Sequence, residues 1–140
     1  QKPAHMDFLD TNVIVYANDS TDPAKQTQAL DVIERAFRDK SGVISVQVLQ
    51  EYANTALHKL RQPRPIVLRQ LVLLERLTVI APDAAMVRRA LELTSLFSIS
   101  FWDASIIAAA EKSGCQRLLT EDLNPGQIYG TILAVNPFAK

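Results

Sequence analysis

The order of apolar segments along the chain is the feature that most constrains its fold. Short apolar runs of strand length alternate with longer segments in which apolar residues recur at helical spacing. This alternation predicts parallel strands joined by helices that cover both faces of one sheet. The strand candidates are Met6–Asp10, Val43–Ser45, Thr78–Ile80, Gln116–Thr120 and Thr131–Val135. We therefore expect a three-layer α/β/α fold around a central, mainly parallel sheet of about five strands.

Six helices are expected between these strands, and several of their ends carry recognisable signals. Asp22-Pro23 has the form of an N-cap followed by proline at the first helical position. Gly114 suits the left-handed conformation that often closes a helix. The Pro-rich stretch 61–65 is expected to separate two helices. The predicted helices are Thr11–Asn18, Pro23–Asp39, Val46–Leu60, Ile66–Leu77, residues 82–97 and Ser100–Ser113.

The length and charge of the chain limit the classes of protein it can belong to. Its 140 residues fit one domain, which we expect to span residues 6–140, with residues 1–5 a tag or vector remnant. Fifteen basic and fifteen acidic residues give no net charge, whereas a non-specific nucleic-acid binder is usually basic. The single Cys115 excludes an internal disulfide and fits a reducing cytoplasm. No apolar run is long enough to predict a membrane span.

Acidic residues follow two of the predicted strands. Asp10 comes directly after the first, and Asp122 lies just beyond the fourth. The carboxyl ends of parallel strands are where α/β proteins place their ligands. Each acid also has a simpler explanation, since Asp10 can cap a helix and Asp122 lies in a segment of good turn formers.

Asp103 is the acid that its surroundings explain least. With Ile106, Ile107 and Ala110 it occupies one face of a predicted helix, and that face is otherwise apolar. Ser100, three residues earlier, predicts that Asp103 lies in the first helical turn. A carboxylate on a core-facing stripe needs a partner, and no basic residue is near in sequence. We therefore expect Asp103 to have a function.

Other kinds of site receive little support from the sequence. Gly-rich phosphate loops and the Gly-x-Ser-x-Gly elbow are absent, and His58 stands alone on a helix. Phe101 and Trp102 are expected to pack their helix against the sheet, with base stacking as the lesser alternative. Several carboxylates brought together repel one another unless a cation lies between them, so the acids favour a metal site.

Four motifs follow one another along the chain. They are Asp10-Thr11-Asn12, Ser45-x-Gln47-Val48-Leu49-x-Glu51, Trp102-Asp103-Ala104-x-Ile106-Ile107-Ala108-Ala109-Ala110 and Leu119-Thr120-Glu121-Asp122. Any one motif is weak, whereas the four together are specific. In this order and spacing they resemble the PIN-domain family, most closely its VapC-type toxin ribonucleases. The likeness covers nearly the whole chain, from Met6 to Phe138.

The resemblance implies a set of site residues. Asp10, Glu51, Asp103 and Asp122 would bind Mg²⁺ or Mn²⁺, with Asn12 and Thr120 orienting ligands or water around them. Glu121 could replace Asp122. Glu51 enters only through the resemblance, because its helical position lies about 140° from the apolar stripe of its helix and indicates a solvated face.

The resemblance also implies an activity and partners. The expected protein is a cytoplasmic, metal-dependent endoribonuclease, the toxin of a toxin–antitoxin pair, which acts on RNA, dimerises and is blocked by a small antitoxin. One alternative is a non-catalytic PIN-like module that binds RNA or protein. A phosphoacceptor domain of the receiver type is disfavoured, because no lysine follows a late strand and the N-terminal acids are not a pair.

Overall fold

A six-stranded sheet forms the centre of the structure, a computed structural model that describes residues 5–139. Residues 1–4 of the expected tag lie outside the described residues, so the domain limits remain a prediction. The strands are β1 (Asp7–Leu9), β2 (Gly42–Ser45), β3 (Thr78–Ile80), β4 (Arg117–Leu119), β5 (Ile128–Tyr129) and β6 (Ile132–Val135). Their order is β3-β2-β1-β4-β6-β5, and every neighbouring pair is parallel except β5 with β6.

All six expected helices are present. They are α1 (Thr11–Ala17), α2 (Pro23–Asp39), α3 (Val46–His58), α4 (Arg64–Leu74), α5 (Ala84–Phe97) and α6 (Phe101–Lys112). The start of α4 was predicted two residues too late, because Pro65 lies within its first turn, where proline is tolerated, and does not interrupt it. Among the described residues no single helix is long and apolar enough to cross a bilayer. Only α5 and α6 together, with a bend of 118° between them, meet the criteria of length and composition.

The chain covers both faces of the sheet with helices, as predicted. The connections from β1 to β2 and from β2 to β3 move in one direction along the sheet, whereas the connection from β3 to β4 returns past β1. Because such crossovers are right-handed, α1–α4 lie on one face and α5 and α6 on the other. The core between these layers includes the fully buried Phe8, Ile44, Tyr52, Ile107 and Leu118.

One strand, β5, was not predicted from the sequence. It has only two residues, and it forms an antiparallel hairpin with β6 through the turn at Gly130 and Thr131. Gly130 has a φ of +64°, and a Cβ atom there would collide with the carboxylate of Glu111. Glu111 pairs with Arg89, so this glycine lets the hairpin approach α5 and α6 closely.

Candidate functional site

The direction of the connections reverses between β1 and β4, which places a crevice at the carboxyl ends of these two strands. Asp10 directly follows β1, and Thr120 directly follows β4. The backbone N–H of Asp10 donates to the carbonyl of Leu119 at 3.1 Å, which joins the two strand ends. The crevice is the position at which α/β sheets of this kind bind ligands.

Three of the predicted site residues meet in this crevice. One carboxylate oxygen from each of Asp10, Asp103 and Asp122 lies within 4.8 Å of the other two. Asp10 is buried, Asp103 is half-buried and Asp122 is exposed, so the cluster runs from the protein interior to the surface. Asp103 lies in the first turn of α6 as predicted, where its N–H donates to the capping hydroxyl of Ser100 at 3.0 Å.

Asp10 both caps a helix and belongs to the acidic cluster. It is the N-cap of α1, and its Oδ1 accepts from the N–H of Thr11 at 2.7 Å. Its Oδ2 accepts from the hydroxyl of Thr120 at 2.8 Å. The two hydrogen bonds hold this carboxylate in one orientation, because they engage both of its oxygens from different elements.

The Thr120 hydroxyl also holds Asn12 and the backbone of Asp122 in place. Having donated its only hydrogen to Asp10, it accepts from Asn12 Nδ2 at 3.2 Å and from the N–H of Asp122 at 3.1 Å. Asn12 Nδ2 also donates to Asp122 Oδ2 at 3.1 Å. The predicted supporting residues Asn12 and Thr120 therefore both contact the acids, and Thr120 uses its full hydrogen-bonding capacity.

Burial and neighbouring carboxylates raise the pKa values of Asp10 and Asp103. Burial is the main cause that raises the pKa of Asp10 from 3.8 to about 7, and the nearby carboxylates of Asp122 and Asp103 add to it. The hydrogen bonds from Thr120 and Thr11 act in the opposite direction. Burial also raises the pKa of Asp103, with smaller contributions from Asp122 and Glu51. The cluster is therefore a place where negative charge is costly without a cation.

The donor set fits a hard divalent cation. Carboxylate oxygens are the ligands that Mg²⁺ and Mn²⁺ prefer. Among residues 5–139 no basic side chain is within ion-pair distance of the three acids. Asn12 Oδ1 is buried and has no hydrogen-bond partner among the described residues, so the crevice also contains an oxygen whose bonding capacity is unused.

Glu51 lies beside this cluster and is only partly exposed. Its Oε1 accepts from the hydroxyl of Thr11, and its Oε2 accepts from Gln47 Nε2 at 3.3 Å. The face of α3 that periodicity assigned to solvent therefore packs against the start of α1. No local signal in the sequence indicates the Thr11 contact, because it joins residues forty positions apart.

The structure brings Asp122 to the other acids and directs Glu121 elsewhere. Glu121 Oε1 accepts from the Tyr16 hydroxyl at 2.6 Å, and its Oε2 accepts from Lys25 Nζ at 2.8 Å. Lys25 also lies over the ring of Tyr16, 4.6 Å from its centroid. Because α1 and α2 supply both partners of Glu121, no local signal in the sequence could have separated it from Asp122.

The prediction that Trp102 packs its helix against the sheet is wrong. The Trp102 side chain is 64% exposed and lies edge-to-face on Phe101, with ring centroids 5.3 Å apart. Consecutive helical residues differ by about 100° in direction. Asp103 therefore turns to the crevice, while the preceding tryptophan stands at the surface beside it.

Comparison with known proteins gives one family and several structural neighbours. The family model described as "PIN domain" matches residues 8–130. A toxin–antitoxin complex from Klebsiella pneumoniae superposes with a TM-score of 0.72 at 19% identity, covering 93% of this chain and 96% of that one. VapC20 of Mycobacterium tuberculosis, a toxin that cleaves the sarcin–ricin loop, superposes with a TM-score of 0.65 at 21% identity, covering 83% of this chain and 91% of that one.

A further neighbour is the DNA-bound VapBC of Salmonella typhimurium, with a TM-score of 0.67 at 18% identity over 93% and 96% of the two chains. At these identities the structural likeness establishes the fold alone. No curated protein matches the sequence.

Proposed function

Because the chain belongs to the PIN-domain family, we propose that it is a metal-dependent endoribonuclease of the VapC type, the toxin of a toxin–antitoxin pair. The observation that carries this proposal is the meeting of Asp10, Asp103 and Asp122 at the switch point of the sheet, where no basic side chain of residues 5–139 forms an ion pair with them. These three carboxylates would hold Mg²⁺ or Mn²⁺. When bound, such an ion would neutralise phosphate charge and activate water for attack on phosphorus.

The chain's own residues would position the reacting groups. Thr120 and Thr11 hold the carboxylate of Asp10, and Asn12 holds that of Asp122, so two acids are oriented before substrate arrives. Glu51, held by Thr11 and Gln47, would complete the negative wall of the crevice. No histidine or lysine joins the acids among the described residues, so we infer that protons move through water rather than through a general base of that kind.

The Mycobacterium neighbour is a toxin that cleaves the sarcin–ricin loop, and the Klebsiella neighbour is a toxin–antitoxin complex. These two neighbours support RNA as the substrate and an antitoxin as the partner. A cytoplasmic location and a small antitoxin are part of the proposal. We further propose that the chain acts as a homodimer. Exposed leucine and valine side chains on α4 and α5 support an interface, among them Leu68, Val72, Val87 and Leu91.

The decisive experiment compares wild type with Asp103→Asn after induction in bacteria. Asparagine keeps the size of the side chain but removes its charge. We expect the new RNA 5′ ends produced by wild type to fall by at least about 10²-fold, the loss typical of removing one group that stabilises charge in a transition state. Sequencing of 5′ ends measures the effect, and growth provides a second readout.

Asp83→Asn is the matched control, because Asp83 caps α5 by accepting from Met86 and asparagine caps equally well. Its RNA profile should match that of wild type. Calorimetry with Mn²⁺ tests the non-catalytic alternative. Identical RNA profiles for wild type and Asp103→Asn, with no Mn²⁺ binding that depends on Asp103, would refute the nuclease proposal.

A further inference from the structure

A second cavity opens beside the acids at the same edge of the sheet. It lies between the beginnings of α3, α5 and α6, above the ends of β2 and β3. Its volume is about 160 Å³. A single water molecule needs about 10–15 Å³, so the cavity has room for a ring-sized group. It therefore offers a binding position next to the acidic crevice but separate from it.

The lining of this cavity contrasts with that of the crevice, since none of the described residues that form it is charged. Met86, Pro82 and Phe101 supply apolar walls. The exposed Trp102 also lines the cavity, and an indole ring has a face on which a flat group can stack. The amide of Gln50 can donate and accept hydrogen bonds at the cavity, whereas Gln47, whose Nε2 donates to protein acceptors, can accept through its Oε1. Such a lining suits a flat, neutral, aromatic group with a polar edge.

Two residues connect the cavity to the acids. Gln47 lines the cavity and also donates to Glu51 at 3.3 Å and to the backbone carbonyl of Trp102 at 3.4 Å. Trp102 is adjacent to Asp103 on the rigid helix α6. A ligand with a charged group at the acids and a neutral ring attached a short distance away would therefore occupy both positions together.

We propose that this cavity binds one unpaired nucleobase of the RNA strand, with Trp102 stacking on its face and Gln47 hydrogen-bonding to its edge. The inference rests on the proposed function, because it is the RNA backbone at the acids that carries the base to the cavity. Stacking on an aromatic side chain is available to every base, whereas hydrogen bonds to the edge discriminate among them. Trp102 is then a substrate-binding residue, and Gln47 contributes to sequence preference.

The chain supplies its own reporter, because Trp102 is its only tryptophan. We suggest titrating the full Asp103→Asn chain, which should not cleave, with a single-stranded RNA hexanucleotide of mixed sequence. Tryptophan emission should be quenched and should saturate together with the anisotropy of the labelled RNA. Ribose 5-phosphate, which has the phosphate without the base, should leave the emission unchanged.

Substitutions at Trp102 separate stacking from simple apolar contact. Trp102→Phe keeps an aromatic face and should retain affinity within a few fold. Trp102→Leu keeps apolar bulk without the face and should lower affinity by about 10- to 100-fold, the range for loss of one stacked base. Leu30→Ala, at a residue 49% exposed on α2, is the control and should not change affinity. Thermal unfolding checks that every variant is folded.

The outcomes distinguish this inference from the proposed function. RNA that binds without quenching, or binds Trp102→Leu as tightly as wild type, overturns the base-binding cavity, even if wild type cleaves RNA. Quenching by RNA with no cleavage by wild type in Mg²⁺ or Mn²⁺ supports the cavity and overturns the nuclease. Absence of both binding and cleavage overturns both, and leaves the exposed tryptophan to be explained by a protein partner.

Discussion

The two ends of strand β1 each carry an aspartate, and they solve the problem of a buried charge in opposite ways. At the amino end, Asp7 lies next to Arg117 of the neighbouring strand β4. Its two oxygens accept from Arg117 Nε at 2.8 Å and from Nη2 at 2.7 Å. At the carboxyl end, the side chain of Asp10 receives hydrogen bonds, among residues 5–139, only from the neutral groups of Thr11 and Thr120, and it lies beside two more acids.

The difference separates a charge that the fold itself neutralises from one that it leaves without a basic partner. Asp7 is neutralised within the chain, so it stabilises the pairing of β1 with β4 without any ligand. Asp10 is oriented but has no basic partner among the described residues, so we propose that its charge is reserved for a cation supplied from outside. Both carboxylates accept two hydrogen bonds, so hydrogen bonding alone does not distinguish these two aspartates, whereas the presence or absence of a basic partner does.

The largest expected effect is on RNA cleavage, and it comes from placing a positively charged side chain among the acids at the carboxyl end of β1. Asp122→Lys places an ammonium group beside Asp10 and Asp103 at an exposed position that can accept it. We expect RNA cleavage to fall by at least about 10²-fold. Stabilisation by Mg²⁺ should disappear, while the stability of the metal-free protein at neutral pH rises. Cleavage assays and thermal unfolding with and without Mg²⁺ measure these effects.

Asp122→Asn is the control for this substitution, since it removes the acid without adding a cation. It should weaken cleavage but raise metal-free stability less than lysine does. An Asp122→Lys protein that still cleaves RNA and is still stabilised by Mg²⁺ would contradict the view that the cluster reserves its charge for a cation.

The second-largest expected effect is on how the stability of the metal-free protein depends on pH. The pKa of Asp10 is raised to about 7 in the folded protein, so between about pH 4 and pH 7 the folded state holds a proton that the unfolded state has lost. Stability of the metal-free protein should therefore fall as the pH rises through this range, by about 2–4 kcal/mol from this group. Denaturant unfolding at several pH values measures it.

Mg²⁺ should offset this loss, because it favours the ionised form of the cluster. At one hundred times its dissociation constant it should add about 2.7 kcal/mol of stability. The stabilisation at a fixed Mg²⁺ concentration should be greater at pH 8 than at pH 5, where protons compete for the carboxylates. Equal stabilisation at the two pH values would show that Mg²⁺ binds elsewhere.

The smallest effect is expected at the amino end. Arg117→Ala removes both hydrogen bonds to Asp7, whose side chain is only 15% exposed, and should cost about 1–2 kcal/mol of stability. Mg²⁺ affinity should not change, because the cluster lies at the other end of the strand. Chemical denaturation and calorimetry measure the two quantities.

The control for this end is Arg35→Ala, which breaks an exposed pair with Asp31 on one helix and should cost less than about 0.5 kcal/mol. If Arg117→Ala instead lowered Mg²⁺ affinity as strongly as a change at the acids, the two ends of β1 would not be independent.

Local pattern was sufficient to predict most of the fold. All six helices and five of the six strands were predicted, because each element has an apolar stripe or run long enough to detect. Strand β5 was missed because two residues bounded by turns carry no periodicity. The start of α4 was misplaced because proline is compatible with the first helical turn, so the Pro-rich stretch did not mark the boundary.

The candidate site was harder to predict from the sequence than the fold, because it depends on contacts between distant segments. Asp103 could be singled out because it interrupts an apolar face within its own helix. Glu51 could not, because its contact with Thr11 comes from another element. The choice between Glu121 and Asp122 depends on Tyr16 and Lys25, more than ninety residues earlier. The exposure of Trp102 likewise follows from how α6 meets its neighbours.

The Thr120 hydroxyl, which makes all three of its possible hydrogen bonds, has a consequence for the entropy of cation binding. Because it engages Asp10, Asn12 and the backbone of Asp122 at once, the rotamers of these groups are restricted as soon as the chain folds. The conformational entropy of ordering them is therefore lost during folding rather than when a ligand arrives. A cation entering the crevice would meet acids that are already ordered, and most of its interaction energy would remain available as affinity.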